Sequence, residues 1–351
     1  MKIYLLLAFD HELPLGGVNN SYQEAIFTPT EQIMDLANSL KIPVNLFTDV
    51  LSAIRLKQLG VENEYYYPYI RQLQKAIVEK HDVQLHLHPH WIETTLSGKN
   101  FQHTGKYGLS DYSNDNQLGG MEEIIKTGVD FLNHVCKEAD STYKCIAYRA
   151  GGFNLFPETK RILQGLFLHG IRIESSINQG FYFHSDFSEV DFSSMPEKSN
   201  WFISTSGPLN KEVSSGLLEI SIAGKPAGLK TNILHVIKKH IYKNRRYTSG
   251  KTINAGHVSI INKLKFVFST RMLGFDVYTM SSNDLMSILN FSVKKYRMED
   301  PIILSSVSHP KNMGTYSLSL MNEFVEKARK KYKEDIVFTT YQNIYALLKL
   351  A

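Results

Sequence analysis

The chain has 351 residues and a formal net charge of +5 at pH 7, and 43% of its residues are hydrophobic against 21% charged. These proportions are those of an ordinary folded protein, and they exclude intrinsic disorder as the default state. The mild charge gives no indication of nucleic-acid binding. Two cysteines, Cys136 and Cys145, are too few for a small disulfide scaffold and are predicted to be reduced core residues.

The apolar N-terminal run is short and ends in an acid, Asp10, where a signal peptide would have a small-residue cleavage site. We therefore predict a buried first strand there. No stretch has the length of a transmembrane helix. The sequence thus favours a cytoplasmic location.

The first third of the chain alternates between predicted strands and helices. The predicted strands cover residues 3–9, 43–47 and 82–88; the predicted helices begin at Thr28, as the N-terminal cap, and at Tyr69. Alternation of this kind is typical of a parallel sheet or barrel.

The segment 82–91 alternates apolar and polar residues until a proline ends the pattern. His86 and His88 share one face of this strand, and His90 and Trp91 follow in the loop. Neutral imidazole is the commonest metal ligand, so three histidines at one strand end indicate a metal site. A half-buried strand whose polar face meets solvent is the alternative.

Further elements follow the same alternating order. The helices are predicted at residues 121–136, 157–169 and 318–332, with a short one at the C terminus, and the strands at 144–148, 170–176, 216–223, 301–309 and 336–340. Residues 177–215 read as irregular. A polar loop at about 92–120 is predicted to be a lid or a substrate wall, with a mobile insertion as the alternative.

An insertion at about 224–300 carries a basic stretch at 235–251. A solvated helix face is the simpler interpretation of this stretch. The functional alternative is peripheral contact with anionic lipid head groups, or with a substrate that bears a diphosphate.

Polar residues follow several of the predicted strands, where a parallel barrel keeps its reactive groups. These residues are Asp10 and Glu12, the histidines at 86, 88 and 90, Arg149 with two glycines, Glu174, and His309. In this order and at these strand ends the sequence resembles the polysaccharide deacetylases of carbohydrate esterase family 4, from residue 1 to about 345. The two insertions lie largely outside the resemblance.

The resemblance rests on four short segments. Ala8-Phe-Asp-His-Glu12 matches the segment that holds the family's catalytic base and first metal ligand, with the second acid one place further on. His86 and His90 match its two histidines four positions apart. Arg149-Ala-Gly-Gly-Phe153 matches an arginine followed by a tight turn, and Leu304-Ser-Ser-Val-Ser-His309 matches the last histidine.

The resemblance implies an α/β fold, a distorted (β/α) barrel of seven strands, formed by residues 1–351 as a single domain. It implies one divalent ion, expected to be Zn²⁺, on Glu12, His86 and His90. Asp10 is then the base, Arg149 holds it ionised, and His309 protonates the leaving amine.

The remaining site residues follow from the same resemblance. Phe153 supplies a backbone N–H for the oxyanion, and His88, Trp91 and Glu174 are expected near the substrate. Trp201 is the candidate for the family's tryptophan.

The implied activity is removal of an N-acetyl group from an acetamido sugar, nucleotide-linked or lipid-linked, in the biosynthesis of a surface polysaccharide such as capsule or O-antigen. Two alternatives remain from the sequence. One is another metal-dependent barrel amidohydrolase, since His86 and His88 alone suit such a centre. The other is a catalytically inactive carbohydrate-binding homologue.

Overall fold

The computed structural model describes residues 1–18, 21–112, 120–185, 188–229, 271–277 and 281–350, together with residues 231, 233, 234 and 237. Apart from residue 237, the basic stretch 235–251 lies outside the described residues, so the prediction of lipid or diphosphate contact is not addressed by the fold. The described part is an α/β structure.

The described residues form seventeen strands, which are numbered in chain order. They are β1 (Ile3–Leu6), β2 (Ala8–His11), β3 (Asn45–Asp49), β4 (Asp82–Leu87), β5 (Thr95–Ser97), β6 (Asn100–Gln102), β7 (Ala147–Ala150), β8 (Ile173–Glu174), β9 (Tyr182–Ser185), β10 (Ser188–Asp191), β11 (Asn200–Ile203), β12 (Glu212–Val213), β13 (Leu217–Ile220), β14 (Gly224–Ala227), β15 (Arg271–Gly274), β16 (Ile302–Ser305) and β17 (Ile336–Phe338).

The α-helices alternate with the longer strands. They are α1 (Thr28–Ser39), α2 (Val50–Gln58), α3 (Tyr67–Val78), α4 (Met121–Lys137), α5 (Thr159–Leu168), α6 (Ser282–Lys295), α7 (Thr315–Tyr332) and α8 (Tyr341–Leu348). Among the described residues no helix is both long and apolar enough to cross a bilayer.

The largest sheet has eight strands in the order β12-β11-β13-β8-β7-β4-β3-β2. From β13 to β2 all neighbours are parallel, whereas β11 and β12 run antiparallel. A second sheet, β16-β1-β17, is parallel throughout. Single parallel bridges, Phe9 with Ser308 and Ile222 with Ser305, connect the two sheets. The predicted parallel α/β architecture is confirmed, and a closed seven-stranded barrel stays a prediction.

The parallel strands separate two apolar clusters. The larger cluster packs the sheet against the helices. The smaller one lies on the opposite face, which we call the inner face, and contains side chains from seven strands of the two sheets and from α8; its members include Leu6, Ala8, Phe47, Ala147, Ile173, Leu218, Ile303 and Tyr341. Because strands in such a sheet are covered on both sides, their sequences are nearly continuous apolar runs.

Helix α8 closes the apolar part of the inner face. The Tyr341 ring lies 5.0 Å from the Phe47 ring, centroid to centroid. Its hydroxyl hydrogen-bonds with the hydroxyls of Ser175 at 2.9 Å and Ser305 at 2.7 Å. The C-terminal helix is thereby tied to two neighbouring parts of the sheet.

Three local predictions differ from the structure. Thr28 is the first residue of α1, preceded by a π-helical turn, Gln23–Phe27, and makes no cap. The loop 92–120 contains the hairpin β5–β6 and a 3₁₀ turn, Leu109–Tyr112. The segment 177–215, predicted to be irregular, contains β9 to β12. Strands of two to four residues carry too few positions for a period of two to be recognised.

His11 lies on the face opposite Asp10, fully buried against the Tyr69 ring, with 5.2 Å between ring centroids. Its Nε2–H donates to Gln72 Oε1 at 2.9 Å, because the Gln72 amide nitrogen already donates to Phe27 O and to Glu31. Burial lowers the pKa of His11 to about 4.

Stability is therefore expected to fall on acidification. Between pH 6.5 and 4 the unfolded chain binds a proton at His11 and the folded chain does not, which costs about 3 kcal/mol at pH 4. The free energy of unfolding, measured with urea, should fall with decreasing pH more steeply in the wild type than in His11→Asn. Each protein is compared with its own value at pH 7.5. Equal slopes in both proteins would contradict the assignment.

Candidate active site and cation-binding group

The inner face collects polar side chains where the parallel strands end. The register pairs Asp49 with His86 and His86 with Arg149 on adjacent strands. Asp10 and Glu12, two residues apart on the extended chain at the end of β2, point to the same face. All five side chains are at least nine-tenths buried. Parallel order alone thus brings together residues from four separate parts of the chain.

Asp10 is held by Arg149. The Arg149 Nη1 donates to Asp10 Oδ1 at 2.7 Å, and both side chains are almost completely buried. Burial alone would raise the pKa of Asp10, but the charge of Arg149, with those of His86 and His309, keeps it below its usual value. Asp10 is therefore an ionised carboxylate at neutral pH.

The guanidinium of Arg149 is itself fixed by the surrounding backbone and hydroxyls. Its Nε donates to Ser175 O at 2.8 Å, and its Nη2 donates to Ser305 Oγ at 2.8 Å and Ser306 O at 3.0 Å. It also stacks on the Phe47 ring at 4.3 Å. A buried arginine with its donors satisfied in this way is a rigid support for one carboxylate oxygen.

The two oxygens of Glu12 have different partners. Oε2 lies 3.2 Å from His86 Nε2 and contacts His88 Nε2. Oε1 accepts a hydrogen bond from Lys311 Nζ at 2.6 Å and lies 3.4 Å from His309 Nε2. Burial favours the protonated form, yet Lys311 and His88 hold the pKa of Glu12 well below its ordinary value.

Glu12, His86 and His88 form a group that could hold a metal ion, with one ligand atom from each residue and all of these atoms within 4.8 Å of one another. His86 Nδ1 lies 2.8 Å from Arg149 O and must donate to it, since a carbonyl only accepts. In a neutral His86 the Nε2 lone pair therefore faces the carboxylate oxygen of Glu12. In the metal-free protein a proton on Nε2 resolves the conflict, because, against the effect of burial, the hydrogen bond to Glu12 raises the pKa of His86. A divalent cation can take the place of that proton, so the donor set fits a metal ion.

His88 enters this group where the sequence resemblance implied His90. The His88 ring is backed by the turn after β7, because a Cβ on Gly151 would lie 2.7 Å from its Nδ1. After His88 the chain enters a 3₁₀ turn, Pro89–Trp91, which directs His90 elsewhere. The His90 ring lies 4.4 Å from the His103 ring, and neither of its nitrogens has a hydrogen-bond partner in the described structure.

His309 lies beside both acids at the end of the last inner-face strand. Its Nε2 is 3.7 Å from Asp10 Oδ2, and its side chain is 27% exposed. Asp276 lies close to it and accepts a hydrogen bond from Ser308 Oγ at 3.0 Å. Burial raises the pKa of Asp276 to about 6, while the charge of His309 opposes that rise.

Sequence reasoning missed three charged residues of this site: Asp49, Asp276 and Lys311. Asp49 ends β3, and its Oδ1 accepts from the backbone N–H of His88 at 3.3 Å. Its Oδ2 has no partner among the described residues, and burial raises its pKa to about 6. An acid close after a predicted strand was a signal for Asp49, whereas no sequence pattern pointed to Asp276 or Lys311.

Three further residues predicted for the site, Phe153, Trp91 and Trp201, are not members of the cation-binding group. Phe153 sits in the turn after β7 with a φ of 59° and packs against Phe181. Trp91 is buried against Phe101, with 4.7 Å between ring centroids. Trp201 is buried and its indole N–H donates to Leu209 O.

Glu174 is not brought to the cation-binding group. Its neighbour Ser175 faces the inner side and contacts Arg149, so Glu174 points to the opposite face of β8. There Glu174 accepts hydrogen bonds from the backbone N–H and the hydroxyl of Ser176. Contact between Glu174 and a substrate in this group is therefore not supported.

Comparison with known proteins gives matches in structure only. No protein-family model matches the sequence, and no curated protein matches it either. A structure assigned as a polysaccharide deacetylase from Mycobacterium smegmatis aligns over 100% of this chain and 92% of its own, with 9% identity and a TM-score of 0.50. A 4-alpha-glucanotransferase from Thermococcus litoralis aligns over 98% of this chain, which spans 40% of that protein, with 10% identity and a TM-score of 0.51.

An allantoinase, Puue, also aligns, over 98% of this chain and 89% of its own, with 12% identity and a TM-score of 0.47. At these identities the likeness is one of fold. The Mycobacterium smegmatis and Thermococcus litoralis structures therefore support the fold alone, and the chemistry has to be argued from the site.

Proposed function

We propose that this protein is a metal-dependent hydrolase that removes the N-acetyl group of an acetamido sugar. One observation carries the proposal: an ionised Asp10 and His309, whose side chains are 3.7 Å apart, lie beside the cation-binding group of Glu12, His86 and His88. Amide hydrolysis needs a base that removes a proton from water and an acid that protonates the leaving amine. The fold that this chain shares with the structure assigned as a polysaccharide deacetylase also supports the proposal.

Glu12, His86 and His88 would hold the divalent cation, for which Zn²⁺ is the expected ion because it favours imidazole with carboxylate. When bound, the cation supplies a Lewis acid that acidifies a water molecule and polarises the amide carbonyl.

The chain's own residues do the proton transfers. Arg149 occupies Asp10 Oδ1, which leaves Oδ2 as the oxygen that accepts the proton of the attacking water. His309 Nε2, 3.7 Å from that oxygen, is placed to donate a proton to the departing nitrogen. Phe153, in the turn after β7, is the candidate for a backbone contact with the developing oxyanion.

We further propose a nucleotide-linked or lipid-linked acetamido sugar, a precursor of a surface polysaccharide, as the substrate. Support comes from the resemblance of the sequence segments and from the fold of the Mycobacterium smegmatis structure. A second candidate is hydrolysis of an amide that is not part of a sugar. The pairing of His86 with His88, in place of His90, favours this alternative, since the spacing departs from that of the deacetylases.

Amide hydrolysis, followed as acetate release from the acetylated compounds and as ring opening of a cyclic ureide, tests the two candidates. The Zn²⁺-loaded protein is incubated with N-acetylglucosamine, its oligomers, UDP-N-acetylglucosamine and an undecaprenyl-diphosphate-linked acetamido sugar, and in parallel with an N-acetyl amino acid and a cyclic ureide. We expect acetate from at least one sugar and none from chelator-treated protein. Hydrolysis confined to the non-sugar amides would select the second candidate, and no hydrolysis by protein that retains its Zn²⁺ would contradict both.

A further inference from the structure

Lys311 is a buried cation in direct contact with the proposed metal ligand Glu12. Its Nζ donates to Glu12 Oε1 at 2.6 Å and lies 3.3 Å from Leu13 O, and its side chain is 11% exposed. It belongs to the 3₁₀ turn Pro310–Asn312, which directly follows His309. This turn therefore brings one proton donor and one fixed positive charge to the same carboxylate oxygen.

Each carboxylate with a lowered pKa has its own basic partner before any metal is considered. Asp10 contacts Arg149, and Glu12 contacts Lys311. The site also contains Asp49 and Asp276, whose pKa values burial raises to about 6. Lys311 is the partner of the acid that would also bind the metal, whereas Arg149 is the partner of the base.

We propose that Lys311 is a built-in counter-ion of the metal centre: it stabilises Glu12 in the metal-free protein and weakens the affinity of the centre for a divalent cation. This inference rests on the proposed function, because it assigns Lys311 a role at the same Glu12, His86 and His88 group. An uncompensated buried carboxylate is strongly destabilising, which gives Lys311 its role in the metal-free protein.

The same ammonium opposes a divalent ion on the other oxygen of Glu12. Lys311 Nζ binds Glu12 Oε1, whereas the His86 and His88 imidazoles contact Oε2. A metal ion held by these imidazoles would therefore share the Glu12 carboxylate with the Lys311 ammonium. Charges this close and this poorly screened by solvent interact strongly. Lys311 therefore reduces the attraction between Glu12 and a bound divalent ion.

The test compares Lys311→Met with Lys311→Arg and with Lys126→Met, a control lysine that pairs with Asp130 at the surface. For metal-free protein, Lys311→Met should lower Tm by about 5 °C or more, and the two other variants should stay near the wild type. In a Glu12→Gln background the same Lys311→Met change should lower Tm by less than about 2 °C.

The second readout is Zn²⁺ affinity by chelator competition, which needs no turnover. We expect Lys311→Met to bind Zn²⁺ at least about tenfold more tightly than wild type, and Lys311→Arg to bind like wild type. Unchanged or weaker binding in Lys311→Met, or an equal Tm loss in both backgrounds, would overturn the proposal. If wild type binds Zn²⁺ and no amide is hydrolysed, the proposed activity fails while the role of Lys311 is still decided by these two measurements.

Discussion

His88→Ala is expected to lose stoichiometric Zn²⁺, with an affinity more than about 100-fold below wild type, whereas His90→Ala keeps it within a few-fold. Removing a residue that merely supports a metal ligand already costs about 10- to 100-fold, so losing a ligand costs more. The reason for the contrast is geometric: His88 Nε2 meets Glu12, and the His90 ring packs against His103.

The measurement is metal content by mass spectrometry after dialysis, followed by chelator competition. His86→Ala is the positive control, because His86 belongs to the group whichever histidine completes it. Zn²⁺ lost from His90→Ala and kept by His88→Ala would restore the ligand set implied by the sequence resemblance.

Asp10→Asn is expected to reduce amide hydrolysis by about 10² to 10⁴-fold while Zn²⁺ affinity stays near that of wild type. Asparagine has nearly the same shape and can still accept the hydrogen bond from Arg149 Nη1, so the fold should be preserved. It cannot take a proton from water at neutral pH, and it lies outside the group of Glu12, His86 and His88.

Initial rates of acetate release, with saturating Zn²⁺, give the measurement. Asp130→Asn is the matched control, since Asp130 is exposed on α4 and pairs only with Lys126 among the described residues. A rate within about tenfold of wild type for Asp10→Asn would show that another group removes the proton.

The sequence alone predicted the parallel α/β architecture and the approximate positions of the parallel strands, because buried parallel strands are continuous apolar runs closed by polar residues. The contact between Asp10 and Arg149 spans 139 positions, and no local pattern specifies it. It was implied only by the resemblance to a known family. Short antiparallel strands such as β9 to β12 were missed because their conformation is set by pairing with neighbours.

The histidines show how two sources of prediction can disagree. Strand alternation put His86 and His88 on one face, and the structure joins these two to Glu12. The family spacing selected His90 in place of His88. The two sources diverge at Pro89, where the extended chain turns into a 3₁₀ helix and the alternation of faces ends; the choice between His88 and His90 as ligand stays a prediction. A period of two is informative only as far as the strand continues.

The hydrogen bonds of Tyr341 link the proposed base to the last helix of the chain. Tyr341 contacts the hydroxyls of Ser175 and Ser305, and both of these residues also hold the guanidinium of Arg149, which holds Asp10. The reactivity of a residue near the N terminus is thus conditioned by one that is synthesised more than three hundred residues later. A fragment that stops short of α8 would lack the Tyr341 hydrogen bonds to Ser175 and Ser305, so we expect Arg149, and with it the proposed base, to be held less firmly in such a fragment.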